Sequence, residues 1–335
     1  MHIMASMKAI LVTHPGGPER LTLGEVPRPI CGEDELLVRV HATALNRADL
    51  LQRQGRYPPP PGASELLGLE VAGVVEEVGA ACSTWSVGDR VFGLLPGGGY
   101  AEFALLHCAL AMAVPPDLTL EEAAAIPEVF LTAYQALHWY GKIEESHVVL
   151  IHAGASGVGT AAIQLARASG ARVFATASER KLSACTELGA ERAVDYRTEN
   201  FADVVLGATD GRGADIVVDF IGAPYFHDNL RTLAMDGRLI ILATMGGSSV
   251  SEFNLRALFR KRAHLITSSL RSRDVKYKAE LTADFARLAL PLLAAGKLRP
   301  VIDEVLDWSD VRAAHERMEE NRNVGKLVLR IRNET

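Results

Sequence analysis

Val148-Val-Leu-Ile-His-Ala-Gly-Ala-Ser-Gly-Val-Gly159 decides the fold of this chain. Its β-branched, apolar start predicts a short strand, its small residues predict a tight turn, and residues 160–168 continue as a helix with Ile163, Leu165 and Ala166 at helical spacing. The glycines at 154, 157 and 159 match the dinucleotide fingerprint G-x-G-x-x-G once Ser156 stands in for its second glycine. In that reading Gly154 makes the turn and Gly159 lets helix and strand pack closely. Gly157 leaves room for backbone N–H groups to face a pyrophosphate at the positive helix N-terminus, where the Ser156 hydroxyl still has a proton to donate. The competing reading is an ordinary strand-to-helix turn, and the surrounding pattern decides between the two. Gly154, Ser156 and Val158 do not make G-x-S-x-G, so Ser156 is not read as a nucleophile elbow.

Downstream, strands and helices alternate. Residues 148–152, 172–176, 192–194, 215–219, 238–242 and 264–267 read as strands, with helical segments between most of them. Six strands on a βαβ rhythm predict a doubly wound parallel sheet, a Rossmann domain whose first βα turn is the glycine loop. Upstream, residues 8–13, 36–44, 68–78, 90–95 and 101–106 read as short strands joined by Gly/Pro turns, a small, largely β domain. Thr119 and Glu122 form a capping box ahead of a helix. Helices over 281–294 and 311–319 and a strand over 326–331 most simply return to complete the first domain. The fold class is α/β.

The 335 residues are 48% hydrophobic and 23% charged, an ordinary globular composition, and the formal net charge of −6 gives no general reason to expect nucleic acid or an anionic membrane as partner. No run of about 18 apolar residues and no apolar signal-peptide core are present, so a cytoplasmic protein is expected. Residues 1–6 read as an expression remnant ahead of a natural start at Met7, and are set aside. Cys31, Cys82, Cys108 and Cys185 are scattered without a C-x-x-C pair or a nearby His, which predicts four reduced thiols and no structural zinc lobe.

An NAD site carries an acidic residue about 20 positions beyond the first glycine to bind the adenosine ribose. Here the second strand runs into Ser178 and then Glu179-Arg180-Lys181. A Ser followed by two cations suits a 2′-phosphate, since Arg and Lys supply charge-assisted hydrogen bonds. NADPH is favoured; the alternative makes Glu179 the ribose carboxylate and Arg180 and Lys181 a solvated helix start. Tyr196, after the third strand, either closes over the adenosine side or is a half-buried core tyrosine.

Several stretches carry a family resemblance: Ala44-Leu-Asn-Arg-Ala-Asp-Leu50, Gln52-Arg-Gln-Gly-Arg-Tyr57, Leu94-Leu-Pro-Gly-Gly-Gly99, Ala124-Ala-Ile-Pro-Glu128, the run from His152 to Leu165, Ser269-Leu-Arg-Ser-Arg-Asp274 and Asn323-Val-Gly-Lys-Leu-Val328. Together they span most of the chain. They resemble the zinc-independent quinone oxidoreductases, the zeta-crystallin-like branch of the medium-chain dehydrogenase/reductase superfamily. The resemblance implies a GroES-like β-rich domain plus the Rossmann sheet, divided as 7–127, 128–268 and a C-terminal return at 269–335. Zinc-dependent relatives place a catalytic Cys at the position of Asn46 and a His within Gly-His-Glu, where this chain has Gly68-Leu69-Glu70, so no metal is implied. Without a Lewis acid, alcohol oxidation loses its main electrostatic aid, whereas an electron-poor acceptor needs mostly orientation beside the nicotinamide.

By the same resemblance, Asn46 lies near the nicotinamide ribose, Tyr57 lines the acceptor cleft and hydrogen-bonds the reduced oxygen, and Thr132 sits by the nicotinamide. The alternatives are a packing role for Tyr57 in its Pro-rich loop and a helix-interior Thr132 bonded to a preceding carbonyl. Gly154, Ser156, Gly157 and Val158 would hold the pyrophosphate; Ser178, Lys181 and Tyr196 would surround the 2′-phosphate; Ile221, Met245, Leu270 and Asn323 occupy further cofactor-contact positions. The implied activity is transfer of reducing equivalents from NADPH to a quinone or another small electron-poor acceptor, with an alkenal or enone reductase as the nearer alternative. Basic stretches at 258–263 and 271–276 raise a structural or RNA-binding role, which the acidic balance of the chain disfavours. The resemblance also implies a homodimer through the last strand of the Rossmann sheet, residues 264–268, whose apolar alternation is consistent with an edge that pairs.

Overall fold

A computed structural model describes residues 5–332. The opening Met-His-Ile-Met lies outside the described residues. The chain divides into two compact units, Met1–Leu131 with Arg271–Thr335, and Thr132–Leu270.

The first unit begins with β1 (Ser6–Val12) and β2 (Leu21–Pro27), paired antiparallel from Ser6 opposite Pro27 to Val12 opposite Leu21. Ser6, set aside on sequence as part of an expression remnant, is thus a strand residue, and Ala5 accepts a hydrogen bond from Arg28 N. There follow β3 (Glu35–Ala44), α1 (Arg47–Arg53), β4 (Glu70–Val78), β5 (Arg90–Leu94), β6 (Phe103–His107), β7 (Ala111–Ala113), α2 (Leu120–Ala124) and α3 (Pro127–Tyr134). Thr119 caps α2 through the expected box: its hydroxyl accepts from Glu122 N while the Glu122 carboxylate accepts from Thr119 N.

The second unit holds the six-stranded sheet. A π-helical turn, Gln135–Tyr140, leads to β8 (Val148–Ile151), α4 (Gly157–Ala168), β9 (Arg172–Ala177), α5 (Leu182–Glu187), β10 (Arg192–Asp195) and α6 (Phe201–Ala208). Then come β11 (Ala214–Asp219), α7 (Phe226–Thr232), β12 (Leu233–Ile241), α8 (Leu255–Lys261) and β13 (His264–Thr267). All neighbours pair in parallel in the order β10-β9-β8-β11-β12-β13, so chain order reverses between β8 and β11. The four residues of β8 are all buried, which is why its sequence is a continuous apolar run rather than an alternation. β12 starts at Leu233, ahead of the expected start at 238, because Asp236 takes a left-handed conformation (φ 62°) inside a strand whose register with β11 shifts between Ala214 and Ile216.

The chain returns to the first unit as α9 (Val275–Ala294), β14 (Ile302–Asp307), α10 (Val311–Glu319) and β15 (Lys326–Arg330). β15 pairs antiparallel with β3, and the larger sheet runs β14-β15-β3-β4-β5-β7 with β6 also on β3. The strands β2, β7 and β14 carry no sequence signal strong enough to announce them: β2 contains Gly24 and Pro27, β7 has three residues, and β14 is half acidic or exposed. Leu36, Val38, Val40, Val71, Leu106, Leu327 and Leu329 belong to the core of the first unit; Val148, Leu150, Phe174, Val217 and Leu239 belong to that of the second.

The cysteines gain neighbours in the fold that their spacing along the chain does not show. All four are free, as expected, but three of them are not scattered in space. Cys31 Sγ and Cys82 Sγ share the carbonyl of Glu35 at 3.2 and 3.5 Å, and burial followed by a hydrogen bond with Cys108 pushes the Cys82 thiol up to about 12. Antiparallel strands and the loops between them bring distant positions side by side, which spacing along the chain does not reveal.

Candidate active site

In the second unit the strand ends carry the glycine loop and the loops beside it. Ser156 is the N-cap of α4, its hydroxyl oxygen accepting from Gly159 N at 3.1 Å, so its own proton is left to donate. Gly157 and Val158 open the helix, where backbone N–H groups have no intrahelical acceptor. A Cβ on Gly159 would stand 2.3 Å from Ala153 O, and one on Gly154 would stand 2.7 Å from the Ala175 side chain. Gly159 is therefore demanded by backbone packing and Gly154 by the side chains packed against it, and the loop fits a pyrophosphate held by N–H groups at a helix N-terminus.

Ser178 caps a short 3₁₀ turn, Glu179–Lys181, without spending its side chain on the cap. Tyr196 N donates to Ala177 O at 3.4 Å, which sets Tyr196 beside Ser178 at the ends of β9 and β10. Tyr196 is 44% exposed, so it is not a core tyrosine. Ile221 and Met245 meet across two backbone bonds, Met245 N to Phe220 O at 3.1 Å and Gly246 N to Ile221 O at 2.8 Å. Five strand ends thus hold Gly154, Ser156, Gly157, Val158, Ser178, Lys181, Tyr196, Ile221 and Met245 on one rim of the sheet, around the point where strand order reverses. Thr132 lies partly buried within α3, and Leu270 is buried at the end of the unit.

Sequence reasoning passed over the buried chain that fixes this rim. Asn229 Nδ2 donates to Asp219 Oδ2 at 3.1 Å, so Asn229 Oδ1 accepts from His152 Nε2 at 2.7 Å. His152 Nδ1 then accepts the Thr176 hydroxyl at 3.0 Å, and Thr176 Oγ1 accepts Ala153 N at 3.3 Å. At its other end Asp219 Oδ1 receives Ile221 N at 2.7 Å. One tautomer of His152 satisfies every member, and the chain joins the loops after β8 and β11 to the end of β9. Burial pushes His152 down to about 4 and Asp219 up to about 6. A His ending an apolar strand, with an Asp ending another, was the available signal.

The first unit holds Asn46, Tyr57 and Asn323. Asn46 is the N-cap of α1, where Asp49 Oδ2 accepts from its backbone N at 2.8 Å. Its side chain is spent elsewhere: Nδ2 donates to Glu70 Oε1 at 2.8 Å and Oδ1 accepts from Lys326 Nζ at 2.7 Å. Lys326 Nζ also reaches Glu70 Oε1 at 2.8 Å and Leu45 O at 2.5 Å, which uses its three donors. Glu70 Oε2 accepts from Glu128 N at 2.8 Å. The position read as a lost metal ligand therefore contacts a fixed ammonium ion. Among the described residues no three His, Cys, Asp or Glu side chains are placed to hold a metal. Asn323 Nδ2 donates to Gly325 O at 2.7 Å, just before Lys326. Tyr57, partly buried, has the Arg271 guanidinium carbon 5.3 Å from its ring centre.

Neighbouring carboxyls respond to this enclosure. Burial, then the Glu70 charge, pushes Glu128 up to about 8, and burial pushes Asp49 up to about 6. The basic stretches are largely committed within the chain: Lys261 Nζ donates to Arg231 O at 2.6 Å, Arg262 pairs with Asp236, and Arg271 is buried. No helix among the described residues is long and apolar enough to cross a membrane.

Residues 32–116 match the model of the alcohol dehydrogenase GroES-like domain, and residues 188–329 match that of the zinc-binding dehydrogenase family. A quinone oxidoreductase of Sus scrofa is 33% identical over 330 residues, covering 96% of this chain and 97% of its own length. Among solved structures, a mycobacterial protein in complex with NADPH is 31% identical with a TM-score of 0.85, covering 97% of this chain and 99% of its own. An NAD-dependent alcohol dehydrogenase is 33% identical at 0.85, covering 97% and 100%, and the CurK enoyl reductase 29% at 0.86, covering 97% and 99%.

Proposed function

The chain belongs to the medium-chain dehydrogenase/reductase superfamily, as an oxidoreductase, and on that premise we propose that it is a zinc-independent reductase that passes hydride from NADPH to a quinone. The observation that carries this reading is the Lys326 ammonium seated on Glu70 and Asn46. An amide and a carboxylate already committed to a buried lysine are poor ligands for a Lewis acid, so the chemistry left to the site is reduction of an acceptor that needs no metal to polarise it.

When bound, the nicotinamide supplies the hydride. Gly157 and Val158 N–H with the Ser156 hydroxyl hold the pyrophosphate, and Ser178 and Lys181 select the 2′-phosphate with Tyr196 alongside. Tyr57 orients the acceptor and donates a hydrogen bond to its reduced oxygen. Asn46 and Thr132 border the nicotinamide, with Ile221, Met245, Leu270 and Asn323 completing the contacts. The exposed edge strand β13, with Leu265 42% exposed and Phe259 of α8 84% exposed, supports a homodimer paired along that edge, which light scattering of the purified chain tests.

The test of the activity is the initial rate of NADPH oxidation with ortho-naphthoquinone, run beside NADH and beside an enone. Fast turnover restricted to NADPH and the quinone is expected. The similarity to an enoyl reductase favours one second reading, hydride delivery to an activated alkene. Turnover of the enone alone would replace the first reading with it.

A further inference from the structure

Arg271 opens the returning segment of the first unit and is 5% exposed. Two of its three guanidinium nitrogens are occupied. Nε donates to Pro96 O at 3.0 Å, and Nη2 donates to Pro96 O at 2.8 Å and to Gln52 Oε1 at 2.7 Å. Its backbone is pinned as well, since Lys278 Nζ donates to Arg271 O at 2.8 Å. Nη1 is buried and has no hydrogen-bond partner. A guanidinium keeps its charge in such a place, and an unmade charge-assisted bond there is costly enough to call for an explanation.

The chemistry of a partner for Nη1 is narrow. It must accept, because a guanidinium offers only donors. Carboxylates and phosphates prefer two parallel N–H groups, yet Pro96 O closes the Nε/Nη2 edge and Gln52 takes the second Nη2 proton. Asp49 lies close enough to act on the Arg271 charge, and its carboxylate repels a second anion. What remains is a single neutral oxygen next to the Tyr57 ring, 5.3 Å from the guanidinium carbon. That describes the carbonyl of a flat, conjugated molecule lying against the tyrosine.

We propose that Arg271 Nη1 is the anchoring donor for the carbonyl oxygen of the acceptor, and that it stabilises the negative charge developing there; this rests on the reductase reading above. When bound, the reduced nicotinamide would supply a hydride, carrying two electrons, that bonds to the acceptor. The displaced π pair collects on the oxygen at Arg271, and a solvent proton completes the hydroxyl. Quinone, NADPH and one proton thus become hydroquinone and NADP⁺. Spending a preorganised cation only where charge appears is how such a donor raises rate as well as affinity.

The experiment compares Arg271→Lys and Arg271→Gln with the wild type in the full chain. Binding of ortho-naphthoquinone is read by tryptophan quenching without turnover, NADPH binding by nucleotide fluorescence, and kcat/KM by NADPH oxidation. Quinone affinity and kcat/KM are expected to fall about tenfold to a hundredfold while NADPH affinity holds. Quinone affinity within about twofold of wild type, or a matching loss for both ligands, would overturn the proposal. If neither variant unfolds cooperatively, Gln52→Met decides. It frees an Nη2 proton beside Nη1, and is expected to shift preference toward a carboxylated quinone; unchanged preference overturns the assignment. Absence of wild-type turnover with the quinone would remove the functional reading, while the binding comparison would still judge Arg271.

Discussion

The ammonium of Lys326 lies 2.8 Å from Glu70 Oε1, with the two side chains 3% and 0% exposed. Asn46 touches both, so an ion pair from β4 and β15 fixes the residue at the entrance to α1. Removing charge from water is expensive, and this pair recovers the cost only because each partner is fully hydrogen-bonded. Its role is to place groups, with stability depending on the pair staying whole.

Breaking it from one side should be severe. Lys326→Met strands the Glu70 charge and is expected to cost about 3–5 kcal/mol in urea unfolding, with Glu70→Leu similar. The double variant should recover much of the loss, since no charge is then left unpaired. Losses that simply add would show the two residues to be energetically independent.

Stability should fall as pH rises above neutrality, and Glu128 is the reason. Its carboxyl, ordinarily near 4.5, is raised to about 8 by burial and then by Glu70. The folded chain therefore holds a proton that the unfolded chain releases: its contribution is full below about 4.5 and is lost as pH climbs through about 8. Asp49 and Asp219, raised to about 6, act with the same sign but finish earlier. His152 and His315, lowered to about 4 and about 3, act oppositely, contributing above about 6.5 and losing it as pH falls. Between about pH 7 and 8.5 Glu128 dominates, so wild type should lose on the order of 1 kcal/mol and Glu128→Gln much less. Thermal melts across that window check it; parallel slopes would assign the effect elsewhere.

The glycine loop makes a sharper demand. Gly159→Ala places a Cβ against Ala153 O, which would stand 2.3 Å away, and against Gly154 O at 2.6 Å. Both contacts are backbone, so helix and strand must part. NADPH affinity is expected to drop at least about tenfold, with a loss of about 1–3 kcal/mol in stability. Calorimetric titration and urea unfolding read the two separately, and wild-type affinity would show the loop to be more yielding than its packing indicates.

The Rossmann sheet was legible in the chain because a parallel strand buried on both faces reads as an unbroken apolar run, as Val148 to Ile151 does, and because only glycine fits at 154 and 159. That the loops after β8 to β12 gather on one rim followed from order alone, since strand ends converge wherever the topology is doubly wound. Three things stayed hidden for a common reason. Lys326 with Glu70, His152 with Asn229 and Cys31 with Cys82 are each pairs made by folding, separated along the chain by dozens to hundreds of positions. Asn46 was singled out for its own identity, but its partners are what define its task.

The proposed preference for NADPH is tested at one side chain. If Lys181 meets the 2′-phosphate, Lys181→Ala should weaken NADPH about tenfold or more and leave NADH nearly unchanged, the loss of one charge-assisted contact. Nucleotide fluorescence titrations with both cofactors decide it. Equal weakening would return Lys181 to a supporting part in the turn before α5 and hand the ribose to Glu179.

Tyr57 tests the acceptor side. Its ring lies under the Arg271 guanidinium, a contact that a phenylalanine preserves, so Tyr57→Phe removes only the hydroxyl. If that hydroxyl hydrogen-bonds the oxygen as it gains charge, kcat should fall roughly tenfold to a hundredfold while NADPH affinity and thermal midpoint hold. If the ring merely packs, kcat will stay at the wild-type value and the larger variant Tyr57→Ala will lower quinone affinity instead. Running both variants against the quinone separates hydroxyl from ring, because one removes a proton donor and the other the surface on which the acceptor rests.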